Sequence, residues 1–257
     1  MNNYALLGKH LSHSYSKIIH EYLFKTNNQN AKYFLLEINK NDIPNYLEKL
    51  RNGEFKGFNV TIPYKEMVIP FLDELTPAAK TIKAVNTIYL RNGKLIGDNT
   101  DYVGFNKELM YYGINVKDKD VYILGTGGAS KAINYALKIA KARTHLVSRS
   151  KEKGITYEEL AQKKAIYAIV NTTPVGMFPN INVSPITKEV ASAAEIVIDL
   201  IFNPAETLLL SYNKNHYNGL LMLIYQAIYA EEVWFNKNIN CDIEELIVYL
   251  KEVISNE

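Results

Sequence analysis

A buried strand that runs into a glycine-rich turn constrains the fold of this chain more than any other sequence feature. The apolar segment 120–124 is the predicted strand, and a helix is predicted over 129–140. The turn between them comprises Gly125, Thr126, Gly127, Gly128, Ala129 and Ser130. Glycines in such a turn let backbone N–H groups approach a pyrophosphate at the N-terminus of the following helix. Ser130 stands where a third glycine is common, and the turn alone is also compatible with a merely tight strand–helix connection.

Strands and helices alternate on both sides of this turn. Further strands are predicted over 4–7, 32–38, 57–60, 87–90, 94–96, 144–148, 166–170 and 196–200. Further helices are predicted over 16–25, 41–50, 100–112, 220–237 and 243–253. Asn92 and Gly93 between apolar runs are a strong hairpin signal. Because alternating strands and helices imply right-handed crossovers and a parallel sheet, we predict an α/β protein.

The order of these elements predicts two domains with a cleft between them. Residues 1–101 form an N-terminal α/β substrate domain, and residues 102–221 form a Rossmann-like dinucleotide-binding domain. The second domain is complete without the last helices. We therefore expect residues from about 222–257 to pack back against the first domain.

Composition narrows the classes of function. Of the 257 residues, 47% are hydrophobic and 22% are charged, and the net charge is +2 with the basic residues scattered. We expect an ordinary globular core and no nucleic-acid partner. The single cysteine, Cys241, excludes an internal disulfide and fits a reducing compartment. His10 and His13 have no third ligand candidate at a useful spacing, so no metal site is predicted.

No segment predicts a membrane anchor or a targeting signal. Residues 1–7 run directly into a strand, without a basic and apolar leader. The longest apolar region, 220–230, is interrupted by Tyr225 and Gln226 and is too short to span a bilayer. We therefore expect a soluble, cytoplasmic protein.

The end of the strand after the glycine turn predicts which dinucleotide is bound. The residues that follow this strand are Ser148, Arg149, Ser150 and Lys151. None is a carboxylate that would hydrogen-bond an NAD ribose, whereas a guanidinium binds a 2′-phosphate bidentately, so Arg149 predicts NADP. The segment 171–177, which includes Thr172, follows another strand end and is predicted to line the ribose and nicotinamide side of the cofactor.

Short polar side chains gather around a lysine in the first half of the chain. Lys65 follows a predicted strand end and Thr61 rather than lying on a polar helix face, a position suited to acid–base catalysis. The polar segments 84–87 and 97–101 complete a pocket suited to a polyol. Asp101 is either a helix cap or a carboxylate of the cleft, and its polar neighbours provide alternative caps.

A hydroxyl-rich segment precedes the first predicted helix. Ser14 and Ser16 follow a predicted strand and lie at a helix start, where hydroxyls, backbone N–H groups and the helix dipole suit a carboxylate. A simple N-cap serine is equally compatible with this pattern.

Taken together, these motifs resemble the shikimate dehydrogenase family along nearly the whole chain. The matching strings are 12–16, 59–63 with Lys65, 84–87, 98–101, the turn at Gly125, 171–177, and 218–220 with Met222 and Gln226. The presence of this many motifs, in the order in which the family has them, makes the resemblance highly specific. The resemblance implies reversible reduction of 3-dehydroshikimate to shikimate with NADPH, in aromatic amino-acid biosynthesis.

The resemblance also implies a role for each site residue. Ser14 and Ser16 would hold the substrate carboxylate. Lys65 would transfer the proton, with Asp101 hydrogen-bonded to it and to the reacting oxygen. The residues implied at the ring hydroxyls are Asn59, Thr61, Asn86, Asp101 and Gln226. The residues implied at the cofactor are Gly125, Thr126, Gly127, Gly128, Ala129, Ser148, Arg149, Ser150, Thr172, Leu200, Gly219 and Met222, the last two near the nicotinamide.

The chain departs from the family pattern at two positions. Phe202 stands where the family usually has a tyrosine, so we expect Phe202 to line the substrate site while one substrate hydrogen bond is missing or replaced. Ser148 precedes Arg149 where an asparagine is common, which changes details of the adenosine site.

Two alternatives remain open at this stage. A quinate/shikimate or aminoshikimate dehydrogenase would have the same fold, although Arg149 argues against the NAD-preferring quinate enzymes. A non-catalytic sensor would bind shikimate-like ligands and NADP, but it has no need of both Lys65 and Asp101. In each case the partner is a small molecule, and we expect a monomer or a homodimer.

Overall fold

A computed structural model describes residues 1–12 and 14–255. His13, which was considered above as a metal ligand, lies outside the described residues. Within the described part of the chain, no group of three or more His, Cys, Asp or Glu side chains could hold a metal ion. The helices described there are also all too short or too polar to cross a membrane.

The first of two compact units comprises Met1–Thr100 and Ile224–Glu257 and is built on a mixed six-stranded sheet. Its strands are β1 (Asn2–Gly8), β2 (Ala31–Glu37), β3 (Gly57–Val60), β4 (Glu74–Leu75), β5 (Thr87–Arg91) and β6 (Lys94–Asp98). They lie in the order β2-β1-β3-β5-β6-β4. The strands β2, β1 and β3 are parallel, whereas β5 is antiparallel to both β3 and β6. The first helices of this unit are α1 (Ser16–Thr26), α2 (Ile43–Arg51) and α3 (Pro77–Ile82).

The predicted hairpin between β5 and β6 is confirmed. Asn92 and Gly93 have φ values of 53° and 75°. Two successive residues with positive φ give a turn whose twist matches that of the flanking strands. The hairpin sets the register in which Thr87 lies opposite Asp98. This register matters for the site, because both residues are buried and polar.

The second unit, Asp101–Leu223, is built on a five-stranded sheet in the order β11-β10-β9-β7-β8, and every neighbouring pair of strands is parallel. Its strands are β7 (Asp120–Leu124), β8 (Arg143–Val147), β9 (Ile166–Asn171), β10 (Ala194–Asp199) and β11 (His216–Asn218). Its helices are α4 (Asp101–Tyr111), α5 (Gly128–Ile139), α6 (Tyr157–Ala161), α7 (Lys188–Ser192) and the first turn of α8 (Leu220–Phe235). The α/β fold class and the parallel Rossmann-like sheet are therefore confirmed.

Strand β7 shows why the strands of this sheet have continuous apolar sequences. Val121 and Ile123 pack in the core on one face of the sheet, and Tyr122 and Leu124 pack in the core on the other face. Since successive side chains point to opposite faces, a strand covered on both sides must be apolar at every position. Strand β11 was not predicted because its three residues include no apolar run.

The rest of α8, from Ile224 onward, and α9 (Ile243–Ser255) belong to the first unit. Trp234 near the end of α8 packs on Tyr4 of β1, with ring centroids 4.7 Å apart. The indole also lies directly over Gly57, where an added Cβ would come within 2.4 Å of the indole nitrogen. The C-terminal part of α8 is therefore packed on the parallel half of the first sheet.

Candidate active site

The register of the first sheet creates the first part of a polar site. Strand pairing puts Asn59 of β3 opposite Thr87 of β5. The Asn59 Nδ2 group donates to Thr87 Oγ1 at 3.1 Å and to the backbone oxygen of Asn86 at 3.2 Å. All three residues are buried. Because buried polar groups are costly when unpaired, these bonds hold the amide of Asn59 in one orientation.

Asn86 extends this arrangement toward two further segments. Its Nδ2 group donates to Thr100 Oγ1 at 2.9 Å, and the backbone N–H of Thr100 donates to Asn86 Oδ1 at 2.6 Å. Gln226 Oε1 accepts from Asn86 Nδ2 and from Thr100 Oγ1, each at 3.4 Å. Asn59, Asn86, Thr87, Thr100 and Gln226 thus form one buried group of side chains, which we call the polar cluster.

The polar cluster draws together residues that are distant in the sequence. Asn59, Asn86 and Gln226 were predicted as substrate contacts, and all are at most 8% exposed. Such a network inside a low-dielectric interior keeps its members in fixed positions. Its amides and hydroxyls supply both donors and acceptors, which is the chemistry that recognises a polyol.

The serines before the first helix lie next to each other. Ser14 Oγ donates to Ser16 Oγ at 3.2 Å and accepts from the backbone N–H of Ser16 at 3.3 Å. Ser16 is the first residue of α1, and the N-cap residue is Tyr15, which makes no side-chain cap bond. The alternative of an N-cap serine is therefore wrong. Hydroxyls at the positive end of a helix dipole favour an anionic group.

The turn that carries Lys65 is fixed by backbone hydrogen bonds. The N–H of Thr61 donates to Leu7 O at 3.0 Å, and the N–H of Tyr64 donates to Thr61 O at 2.8 Å. The carbonyl of Lys65 accepts from the N–H of Val85 at 2.7 Å. This last bond ties the lysine to the segment that carries Asn86. Thr61 and Lys65 are both half-buried.

Asp101 belongs to the second unit, where it is the first residue of α4 and is 5% exposed. Two residues that precede Asp101, namely Asp98 and Asn99, have hydrogen-bond partners in the first unit. Asp98 Oδ1 accepts from Thr76 Oγ1 at 2.6 Å and from the N–H of Asn99 at 2.7 Å. Asn99 Nδ2 donates to Ala84 O at 2.9 Å. These bonds fix the segment that leads into Asp101.

The glycine turn of the second unit has the form expected of a phosphate cradle. Gly125 has φ 108°, and a Cβ there would come within 2.9 Å of Thr172 Oγ1, so only glycine fits. Ser130, in the place of a third glycine, donates to Gly125 O at 2.7 Å and so closes the turn. Gly127 is the N-cap residue of α5, and a Cβ added there would meet no described atom within 4 Å. The start of α5 is therefore open to a ligand, and a pyrophosphate fits it.

The loop after β8 presents its arginine to solvent. The N–H of Ser150 donates to Ser148 Oγ at 3.1 Å, and Ser148 is buried. Arg149 is exposed. Burial raises the pKa of Tyr157 on α6, and the positive charge of Arg149 partly offsets this increase. The tight turn around Ser148 thus leaves the guanidinium at the surface, where a phosphate can reach it.

A buried carboxylate joins the loops that follow β9 and β10. Asp199 is fully buried and accepts from Asn171 Nδ2 at 2.9 Å, from the N–H of Ile201 at 3.1 Å and from Thr207 Oγ1 at 2.7 Å. Asn171 Oδ1 in turn accepts from the N–H and the hydroxyl of Thr173. Burial raises the pKa of Asp199 to about 6, although the donated hydrogen bonds act in the opposite direction.

The remaining predicted cofactor residues lie on these same loops. Thr172 Oγ1 donates to Leu124 O at 2.6 Å, and the N–H of Leu200 donates to Asn171 O at 3.0 Å. A Cβ on Gly219 would come within 2.2 Å of the carbonyl oxygen of Leu200, so the two backbones are in contact. Phe202 is half-buried on the loop after β10, and Met222 is 8% exposed in the core of the unit.

Several residues that organise the site were not predicted. Thr87 and Thr100 belong to recognised polar segments, but the sheet register that pairs them is not visible in the sequence. Asn171 and Asp199 are the last residues of two buried strands and are register partners. Asn171 lies in the predicted segment 171–177, whereas Asp199 was missed, and a polar residue that ends an otherwise apolar strand was the signal that would have found it.

Comparisons with known proteins agree with this geometry. A family model described as the shikimate dehydrogenase substrate binding domain matches residues 6–88. The shikimate dehydrogenase (NADP(+)) of Clostridium perfringens is 38% identical over 261 residues, covering 95% of this chain and 96% of the relative. The crystal structure of shikimate dehydrogenase 1 from Peptoclostridium difficile has a TM-score of 0.89 at 40% identity, covering 98% of each chain. Shikimate 5-dehydrogenase from Thermus thermophilus, in complex with NADP(H) and shikimate, has a TM-score of 0.84 at 28% identity, covering 93% of this chain and 95% of that one.

Proposed function

The chain belongs to the shikimate dehydrogenase family, and from this premise we propose that it catalyses the reversible, NADPH-dependent reduction of 3-dehydroshikimate to shikimate. The observation that carries the proposal is the polar cluster, most of which comes from a segment similar to a substrate-binding domain. A trihydroxy acid can use the donor and acceptor capacity that remains on its amides and hydroxyls, whereas an apolar ligand cannot.

Substrate binding is assigned mainly to residues of the first unit, with Asp101 and Phe202 contributed by the second. Ser14 and Ser16 bind the carboxylate at the start of α1, which is supported by their adjacent hydroxyls and by the helix dipole. The ring hydroxyls are bound by Asn59, Thr61, Asn86 and Gln226, together with Asp101. Phe202 contributes packing against the substrate rather than a hydrogen bond.

Proton transfer is assigned to Lys65 and Asp101. In the direction of reduction, the ammonium of Lys65 donates a proton to the oxygen of the reacting carbonyl as negative charge develops there. In the reverse direction the amine accepts that proton. Asp101 accepts a hydrogen bond from Lys65 and orients it toward the reacting oxygen. The backbone bond from Val85 to Lys65 supports this role, because it limits the movement of the lysine.

The cofactor residues are assigned to the second unit. Bound NADPH supplies the hydride. The turn at Gly125, Thr126, Gly127, Gly128 and Ala129 holds the pyrophosphate, which is supported by the open N-terminus of α5. Arg149, flanked by Ser148 and Ser150, binds the 2′-phosphate. Thr172, Leu200, Gly219 and Met222 line the ribose and nicotinamide.

A cytoplasmic location and a monomeric or homodimeric state complete the proposal, and the single cysteine supports the reducing compartment. The proposal is tested by incubating the purified protein with NADPH and 3-dehydroshikimate and identifying the product by mass spectrometry. Formation of shikimate in step with NADPH oxidation supports it. Binding of both ligands without turnover would instead identify a sensor, and the enzymatic assignment would then be wrong.

A further inference from the structure

A pair of ionisable side chains is buried next to the polar cluster and takes no part in the proposed chemistry. His20 on α1 and Glu231 on α8 are both fully buried, with Nδ1 and Oε1 2.7 Å apart. The first helix begins at Ser16, and the second carries Gln226. The pair therefore joins the helices that bear two of the proposed substrate contacts.

Tyr33 of β2 connects this pair to the substrate side. Its ring stacks on the imidazole of His20, with centroids 4.2 Å apart and planes 11° apart. Its hydroxyl donates to Asn59 Oδ1 at 2.7 Å. Because that oxygen accepts from Tyr33, the Nδ2 group of Asn59 must face Thr87 and the backbone of Asn86. Tyr33 thus holds the oxygen of the Asn59 amide, while Thr87 and the Asn86 carbonyl hold its nitrogen.

Burial favours the uncharged form of the pair. It raises the pKa of Glu231 well above its usual value and lowers the pKa of His20 to about 3. Glu231 Oε2 has no hydrogen-bond partner among the described residues, and an ionised carboxylate in that state would be costly. At the observed separation of 2.7 Å, a protonated Glu231 can donate from Oε1 to His20 Nδ1.

Four other titratable groups lie near the pair, namely Tyr4, Tyr33, Lys237 and Cys241. Burial is the main cause that raises the pKa values of Tyr4 of β1 and Tyr33 of β2. Burial also raises the pKa of Cys241. The positive charge of Lys237 acts in the opposite sense on Glu231 and lowers its pKa. That positive charge of Lys237 favours an ionised Glu231, but the effect of burial on the pKa of Glu231 is larger.

We propose that His20, Glu231 and Tyr33 form an uncharged positioning group that fixes the amide of Asn59 for contact with the substrate. The inference rests on the proposed role of Asn59 in substrate binding. The three residues act through Asn59, and none of them touches the reacting atoms.

The first test is Tyr33→Phe, which removes one hydroxyl and keeps the ring stack. We expect the KM for shikimate to rise about 2–10-fold, the effect of one neutral hydrogen bond. The kcat and the KM for NADP⁺ should be unchanged, because the lost bond weakens the binding of shikimate and of the transition state equally. Tyr4→Phe is the matched control, since Tyr4 lies in the same core cluster as Tyr33 and the tyrosine hydroxyl bonded to Asn59 is that of Tyr33.

A double-variant cycle then asks whether Tyr33 acts through Asn59. Asn59→Ala should raise the KM for shikimate, and adding Tyr33→Phe to it should change nothing further. Additive effects would overturn the inference. A KM that rises in Asn59→Ala and stays normal in Tyr33→Phe would overturn it while leaving the proposed function intact. A normal KM in Asn59→Ala would overturn both the inference and the role of Asn59.

The charge state is tested separately. A glutamine amide can donate to His20 Nδ1 as a protonated carboxyl does, so Glu231→Gln should keep the wild-type KM for shikimate within about twofold, whereas Glu231→Ala should raise it as Tyr33→Phe does. The imidazole ¹⁵N signals of His20 should stay at their neutral positions between about pH 5 and 8. A charged or titrating His20, or a Glu231→Gln variant as impaired as Glu231→Ala, would overturn the proposal.

Discussion

Asn171 and Asp199 end two adjacent parallel strands, and their side chains are joined by a 2.9 Å hydrogen bond from Nδ2 to Oδ1 inside the protein. Through this bond one carboxylate holds the loop with Thr172 and the loop with Leu200 at the same edge of the sheet. Ligands of open parallel sheets bind at this edge. The geometry of the proposed nicotinamide side therefore depends on a residue that is not expected to contact the cofactor.

Asp199→Asn should make the free energy of unfolding less dependent on pH. The folded-state pKa of Asp199 is raised from 3.8 to about 6, so its contribution to stability is fully present below about pH 4 and is lost as the pH rises through 6. On acidification from pH 7 to 4, the wild type should gain roughly 2–3 kcal/mol relative to the variant. Urea unfolding at several pH values measures this difference. Asp118→Asn, at an exposed aspartate of the same unit, is the control. A difference between wild type and Asp199→Asn that does not vary with pH would contradict the account.

Lys65→Ala should impair the chemical step more than substrate binding. We expect kcat to fall about 10²–10⁴-fold, the usual effect of losing a positioned acid–base group, with a smaller change in the dissociation constant of shikimate. Steady-state kinetics and equilibrium titration separate the two quantities. Lys80→Ala, at an exposed lysine of α3, should behave as the wild type. A Lys65→Ala variant with a near-normal kcat would remove the lysine from the mechanism.

Arg149→Ala should weaken the binding of NADP⁺ and leave the binding of NAD⁺ almost unchanged, because NAD⁺ has no 2′-phosphate. The loss expected for NADP⁺ is about 1.5–3 kcal/mol, the range for hydrogen bonds to charged groups. Lys151→Ala is the matched control, since the ammonium of Lys151 pairs with Glu159 at 3.2 Å. Equal losses for the two cofactors would mean that Arg149 is structural. A larger loss in Lys151→Ala would mean that the lysine binds the phosphate instead.

Phe202→Tyr tests the position at which the chain departs from its family. If the ring lies over the substrate, the added hydroxyl restores one neutral hydrogen bond worth about 0.5–1.5 kcal/mol, and kcat/KM for shikimate rises a few-fold. Steady-state kinetics of Phe202→Tyr measure this change in kcat/KM. Phe178→Tyr, at an exposed phenylalanine of the same unit, is the control. An unchanged or lower kcat/KM would show that the site already satisfies the substrate without this hydroxyl.

Local signals predicted the second unit well. The apolar run 120–124, the glycine turn and the following helix all lie within one continuous segment, so the sequence alone identifies them. The turn chemistry of Asn92 and Gly93 predicted the hairpin for the same reason. Short elements such as β4 and α7 were missed, because two or five residues carry too little periodicity to be recognised.

The polar partners could not be predicted in the same way. Asn86 and Gln226 are 140 residues apart, and His20 and Glu231 are 211 residues apart. Their contacts follow from how α8 packs on the first sheet, and no local pattern encodes that packing. The sequence therefore predicted which side chains are polar, and the fold determines which of them meet.

The most direct test of the account is the initial rate of cofactor reduction with shikimate or quinate as the substrate and NADP⁺ or NAD⁺ as the oxidant. The account predicts the highest kcat/KM for shikimate with NADP⁺, together with loss of that activity in Lys65→Ala. A higher kcat/KM with quinate and NAD⁺, or no turnover of shikimate with either cofactor, would contradict it.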